Sequence, residues 1–152
     1  MITIRRTDSK DRDFHFLVDK LNKDLLERYG ELQVFYNQFN KIENIPSVVV
    51  AYIDSKPVGC GCFKRFNDSS VEIKRMYAAE EQRGKGIGGT ILNELEKWAA
   101  ELGNQYTVLE MGNNQPEAAH LYKSRGYRII PNYGQYIGME ATSICMKKDL
   151  NL

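Results

Sequence analysis

The sequence predicts a mixed α/β layer fold, a mostly antiparallel sheet flanked by helices, and three observations lead there. Apolar residues recur at three- and four-residue spacing over 14–29 and again over 87–102, which marks two amphipathic helices. Runs rich in β-branched and aromatic residues at 47–54, 57–66 and 70–78 are broken by Ser55-Lys56 and by Asn67-Asp68-Ser69, which marks three strands joined by tight turns. The resulting order, strand, helices, three strands, helix, strand, helix, two strands, suits one domain over 1–152.

The elements follow in chain order. Ile2 and Ile4 alternate with Thr3 and Arg5, which suits a first strand, and Thr7, Asp8 and Ser9 offer capping side chains for the helix after it. Phe14, Leu17, Val18, Leu21, Leu25 and Leu26 form one face of that helix down to Tyr29, where Gly30 ends it. Leu32, Val34, Phe35, Tyr36 and Phe39 predict a second, shorter helix whose aromatic residues could wall a cleft, and Pro46 closes the region. A meander of the three strands follows. Ile87, Ile91, Leu95, Trp98, Ala99 and Leu102 then share a stripe opposite Asn93, Glu94, Lys97 and Glu101, with Gly103 as the natural cap. A strand over 106–111, a helix over 116–124 and closing strands over 127–130 and 141–147 complete the chain.

Composition narrows the function. Hydrophobic residues at 42% and charged residues at 27% are ordinary for a globular chain. The formal charge of +1 comes from 21 basic and 20 acidic residues that are interspersed, which argues against nucleic acid as a partner. The longest apolar run, 46–53, is far short of the roughly 20 residues of a membrane helix, and the first ten residues lack a signal-peptide core, so the expected compartment is the cytoplasm with no membrane partner. Cys60, Cys62 and Cys145 match neither a disulfide framework nor a zinc site, so no metal is expected.

The most informative stretch is Gln82-Arg83-Gly84-Lys85-Gly86-Ile87-Gly88-Gly89-Thr90, between a strand and the long helix. A helix start leaves about four backbone N–H groups without partners, usually met by a Ser, Thr, Asp or Asn side chain at the cap. None immediately precedes Ile87. Glycines at 84, 86, 88 and 89 instead let the backbone approach a ligand, and Arg83 and Lys85 add positive charge beside the positive helix end. That arrangement suits a pyrophosphate. Gly84, Gly86 and Gly89 also fit the dinucleotide pattern G-x-G-x-x-G of oxidoreductases, but the strand before them carries Glu72, Lys74 and Arg75, whereas a dinucleotide loop follows a buried apolar strand. Too few residues follow Gly89 for the rest of a doubly wound sheet.

The same stretch resembles the acyl-CoA-binding motif of the GCN5-related N-acetyltransferase (GNAT) superfamily, Q/R-x-x-G-x-G/A, with Arg83, Gly86 and Gly88 at its fixed positions. The resemblance extends back through Ile73-Lys74-Arg75-Met76-Tyr77-Ala78. It runs forward through Pro116-Glu117-Ala118-Ala119-His120-Leu121-Tyr122-Lys123-Ser124-Arg125-Gly126-Tyr127, which is similar to the family's A-x-x-L-Y-x-x-x-G-[FY] segment. Ala78, Glu80 and Gln115 depart from the family's usual Val, Pro and Asn. The resemblance implies a GNAT-like sheet with a splayed central strand pair, and acetyl-CoA held as cosubstrate by Met76, Tyr77, Ala78, Arg83, Gly84, Lys85, Gly86, Ile87, Gly88, Gly89, Thr90 and Gln115. It further implies transfer of the acetyl group to a primary amine of a small molecule or peptide by direct attack in a ternary complex.

Individual roles follow from the same resemblance. Tyr122 occupies the family's general-acid position; a phenol near pKa 10 remains protonated beside a thiol near 8.5 and can hydrogen-bond the departing sulfur. Glu72 aligns with the strand glutamate that serves as base in histone-acetylating relatives, and alternation along the strand would put it on the same face as Met76, acting through water. Glu110 lies near the expected cleft. Tyr133 and Tyr136 stand in a loop that contacts the acceptor in many relatives. His120 points away from Tyr122 around its helix and is expected to be exposed. Homodimerisation through the closing strands fits the family, as does a non-catalytic acyl-CoA-binding module on the same fold.

Overall fold

A computed structural model describes residues 1–37 and 41–150, with the side chains of residues 34–36 left out of the description. The strands are β1 (Ile2–Thr7), β2 (Ser47–Ile53), β3 (Lys56–Asn67), β4 (Ser70–Ala78), β5 (Tyr106–Gly112), β6 (Arg128–Ile130) and β7 (Ser143–Asp149). The helices are α1 (Arg12–Tyr29), α2 (Glu31–Asn37), α3 (Ile87–Glu101) and α4 (Pro116–Ser124). One sheet takes the order β1-β2-β3-β4-β5-β7-β6. Pairs β1–β2, β2–β3, β5–β7 and β6–β7 are antiparallel, and β4–β5 is parallel from Ser70↔Tyr106 to Ile73↔Leu109. The predicted mixed fold is therefore observed.

The chain divides into two compact units, Met1–Phe63 with Lys74–Leu95, and Lys64–Ile73 with Glu96–Leu152. In the first unit Phe14, Leu17 and Val18 of α1 close over Val48, Val50, Cys60 and Cys62 to form a buried apolar cluster. The opposite face of β3 is glycine: a Cβ on Gly59 would lie 2.7 Å from Ile87 and 2.8 Å from Ile91, so only hydrogen at that position lets α3 pack so closely. Cys60 and Cys62 thus alternate with these glycines as small core residues, each donating a thiol hydrogen bond to a backbone carbonyl, at Arg75 and Lys74 respectively. The second unit is organised on a buried polar network. Glu96, 8% exposed, accepts hydrogen bonds from the Tyr127 hydroxyl at 2.9 Å and Lys148 Nζ at 2.7 Å, and Tyr127 also hydrogen-bonds the Thr107 hydroxyl at 2.7 Å.

Several expectations are corrected. The cap of α1 is Asp11, whose carboxylate accepts from the backbone N–H of Asp13 and Phe14; Ser9 instead accepts from Ile45 N. Leu26 is 53% exposed and Leu102 62% exposed, because the apolar stripe of α1 outruns the surface that covers it and α3 ends at Glu101. The first hairpin turns at Asp54 and Ser55, both at positive φ, and Lys56 already belongs to β3. The last strand begins at Ser143 and runs to Asp149, later than 141–147. Helix α2 forms as expected; Phe39 lies outside the described residues, as do the side chains of Val34, Phe35 and Tyr36, so the aromatic wall falls outside them too.

Candidate functional site

In the first unit, the end of β4 leads through a 3-10 turn at Glu80–Gln82 into the glycine loop and α3. Eleven of the predicted cofactor residues, Met76, Tyr77, Ala78, Arg83, Gly84, Lys85, Gly86, Ile87, Gly88, Gly89 and Thr90, fall in this one strand-loop-helix stretch. Arg83 Nε donates to the Ala78 carbonyl at 3.1 Å, which braces the strand end against the loop, and Lys85 Nζ donates to Gln82 Oε1 at 2.8 Å. Gly84 at φ 84° and Gly86 at φ 80° adopt a backbone that L side chains rarely enter. A Cβ added at either would meet nothing within 4 Å, so the backbone lies open there. The Gly86 carbonyl accepts from Thr90 N at 3.0 Å and from the Thr90 hydroxyl at 2.8 Å, which fixes the first turn of α3 while Ile87 anchors it in the core. Burial raises the pKa of the neighbouring Tyr77 phenol, partly opposed by the Arg83 charge. The loop can therefore present backbone N–H groups, a helix start and two cations to an anion.

Arg75, one residue before this stretch, is a feature the sequence reading did not single out. It sits at φ 58° in the middle of a strand, the left-handed region that non-glycine residues avoid. It is only 7% exposed. Its Nη2 donates to Asn22 of α1, while its Nε has no hydrogen-bond partner. Burial lowers its pKa, against the opposing effect of the Cys62 and Cys60 thiols. The left-handed residue also interrupts the alternation of β4, so Lys74 and Arg75 are both buried and the period-two argument placing Glu72 and Met76 on one face no longer holds. Only its context, the charged pair Lys74-Arg75 directly after the alternating apolar Val71 and Ile73, could have drawn attention to it.

In the second unit, the half-buried Glu72 accepts a 2.7 Å hydrogen bond from the Tyr133 hydroxyl. Tyr133 is flanked edge-on by Phe66 at 4.7 Å and by Tyr136 at 5.8 Å between ring centroids. Burial, and then the Glu72 charge and hydrogen bond, push the Tyr133 pKa far up, so it remains a donor. Glu110 stands opposite Cys145 in the β5–β7 register. Burial first, with the charges of Glu110, Glu72 and Glu140 besides, pushes the Cys145 thiol up to about 11, which keeps it protonated and unreactive. Tyr122, 6% exposed on α4, rests edge-on against Tyr127 at 5.7 Å. Burial, and next the Glu110 charge, raise its pKa well above the ordinary phenol range. Gln115 accepts from Gly112 N at 3.1 Å through its side-chain oxygen, so it ties the end of β5 to the start of α4. His120 is exposed, as expected.

The structure thus gathers the loop residues in one unit and Glu72, Tyr122 and Gln115 in the other. Glu72 and Tyr133 are 61 residues apart in sequence, and nothing local to either announces their bond. Among the described residues no three His, Cys, Asp or Glu side chains are grouped to hold a metal ion, and no helix is long and apolar enough to cross a membrane.

Comparison with known proteins places this architecture. A segment of 93 residues, 61% of the chain, is 34% identical to 64% of the uncharacterized N-acetyltransferase YjcF of Bacillus subtilis (strain 168), so the match spans somewhat less than two thirds of that relative. The IAA acetyltransferase of Azospirillum brasilense is 31% identical over 103 residues, 67% of each chain. In three dimensions the chain is similar to a crystal structure from Klebsiella pneumoniae subsp. pneumoniae MGH 78578 assigned as an acyl-CoA N-acyltransferase, with a TM-score of 0.83, 24% identity and 99% of both chains covered, a likeness of fold. The model of the acetyltransferase (GNAT) family matches residues 14–127, well over half of the sequence, and the chain therefore belongs to that family.

Proposed function

We propose that the chain is an acetyl-CoA-dependent N-acetyltransferase acting on a primary amine of a small molecule or peptide by direct attack in a ternary complex. The observation that carries this reading is the open glycine backbone of residues 84–86 at the start of α3, where an added Cβ would find no atom within 4 Å. That opening, flanked by Arg83 and Lys85, fits the pyrophosphate of acetyl-CoA, with the loop's N–H groups as donors. Backbone groups of Met76 and Ala78 would take the pantetheine arm, and Gln115 would hold the start of α4. The names of the two curated relatives support an acyltransferase.

In the reaction, the neutral amine nitrogen forms a bond to the acetyl carbonyl carbon as the carbon–sulfur bond breaks with its electron pair left on sulfur. Nitrogen must lose one proton and sulfur must gain one. The raised pKa of Tyr122 makes outright proton donation uphill, so its part is to hydrogen-bond the sulfur as negative charge develops there. Glu72, oriented by Tyr133, receives the ammonium proton through water, and solvent carries a proton to the thiolate.

The test is CoA release from acetyl-CoA over a panel of amines. Tyr122→Phe should lower kcat by roughly 100- to 1,000-fold, with acetyl-CoA affinity held within a few-fold. Near wild-type kcat in that variant would remove the role of Tyr122. Acetyl-CoA binding without release by any amine would leave a non-catalytic acyl-CoA-binding module, and binding of NAD instead would revive the oxidoreductase.

A further inference from the structure

A buried guanidinium normally has a carboxylate beside it, because removing a cation from water is costly and its N–H donors still need acceptors. Arg75 lacks both. Its one hydrogen bond runs from Nη2 to the neutral Asn22 amide oxygen, its Nε is buried with no partner, and the groups facing it from β3 are the uncharged thiols of Cys60 and Cys62. It forms no ion pair among the described residues, and the undescribed positions contain no Asp or Glu side chain. It also holds a strained φ of 58° immediately before Met76. Asn22, at the far end of the guanidinium, is exposed on α1, and Leu26 one turn further along the same helix is 53% exposed. The guanidinium is therefore buried behind α1, and the exposed Asn22 is the link between it and the surface.

We infer that Arg75, with Asn22, receives an anionic group of the acceptor, so that the acetylated amine belongs to a molecule that also carries a carboxylate. A carboxylate suits the fork of Arg75, because its two oxygens can accept from Nε and from a terminal N–H together, satisfying the orphaned donor. The inference rests on the acetyltransferase reading and adds the acceptor's class to it. Discrimination against the same amine without its charge follows, since an uncharged acceptor would leave the cation buried and unpaired.

The experiment uses wild-type protein and a panel of α-amino acids, each with its methyl ester and its decarboxylated amine. Turnover is followed by CoA release, and binding to the CoA complex by calorimetry. At least one acid should exceed its ester by about 30-fold or more in kcat/KM and show the same preference in binding. In Arg75→Met that preference should vanish while Tm stays level or rises, because the substitution removes an uncompensated buried charge. A purely structural arginine would give the opposite, a lower Tm in Arg75→Met with no effect on the ratio of acid to ester. Should Arg75→Met fail to fold, Arg75→Lys carries the test: it keeps the charge, loses the fork, and should lower acid binding while leaving the ester unchanged. Esters or simple amines turned over as well as acids by wild-type protein would overturn the inference and leave the acetyltransferase reading standing. Acids that bind to the CoA complex but are never acetylated would do the reverse.

Discussion

Two glycine-rich stretches of the first unit look alike in sequence and are built for opposite reasons. On β3, Gly59 and Gly61 are glycine because neighbours occupy the space: a Cβ at 59 would lie 2.9 Å from the Tyr77 carbonyl, and one at 61 would lie 2.5 Å from Met76 Sδ and 2.9 Å from Leu95. In the loop, Gly84 and Gly86 have positive φ and nothing within 4 Å of an added Cβ. The first pair serves packing. The second leaves backbone uncovered, which a core has no use for and a ligand does. Glycine content alone does not mark a binding site; glycine facing open space at a helix start does.

Substitutions can break the contrast. Gly59→Val should have the largest effect on stability, about 3 kcal/mol or more, because one of the atoms it meets is backbone and cannot rotate away. In a chain of this length that corresponds to a fall in Tm of roughly 6–12 °C by calorimetric scan. A level Tm would show that α3 shifts freely off β3. Gly86→Val should cost less, about 1–2 kcal/mol of backbone strain at its φ of 80°, and its main effect should be on acetyl-CoA. The smallest effect is expected away from both stretches, at the cap of α1. Asp11→Ala should cost about 1 kcal/mol without altering acetyl-CoA affinity. Burial works to raise the Asp11 carboxyl, and hydrogen bonds from Thr7 and from the N–H groups of Phe14 and Asp13, with the Arg5 charge, outweigh it and hold the pKa below its ordinary value. That stabilisation is present above the unfolded-state pKa and is lost as pH falls through the folded-state value, so the gap between wild type and Asp11→Ala should close in acid.

What was legible in the sequence was local. The periodicity of α3, the turn near Asp68-Ser69 and the glycine loop each depend on neighbouring residues; the turn is one residue shorter than the expected Asn67-Asp68-Ser69, because β3 runs on to Asn67. Burial was legible only where a face was fully covered: Phe14, Leu17, Val18 and Leu21 are buried as their spacing implies, whereas Leu26 shares the stripe and is exposed, since what covers a helix end depends on other elements. Contacts across the sheet were not legible. The Tyr133–Glu72 hydrogen bond depends on how a late loop returns over β4, and the Glu96 network joins α3, β5, β7 and the residue before β6. Arg75 was hidden for a different reason: a left-handed residue inside a strand has no compositional signal unless it is glycine or asparagine.

The central claim is that the open loop backbone holds the pyrophosphate of acetyl-CoA. Calorimetric titration with acetyl-CoA and with acetyl-pantetheine, which lacks the pyrophosphate and nucleotide, tests it most directly when wild type and Gly86→Val are compared side by side. Gly86→Val should weaken acetyl-CoA by about 10-fold or more, the loss expected for one charge-assisted hydrogen bond, and should leave acetyl-pantetheine unchanged. Equal acetyl-CoA affinity in the two folded proteins, or an equal loss for both ligands, would contradict it.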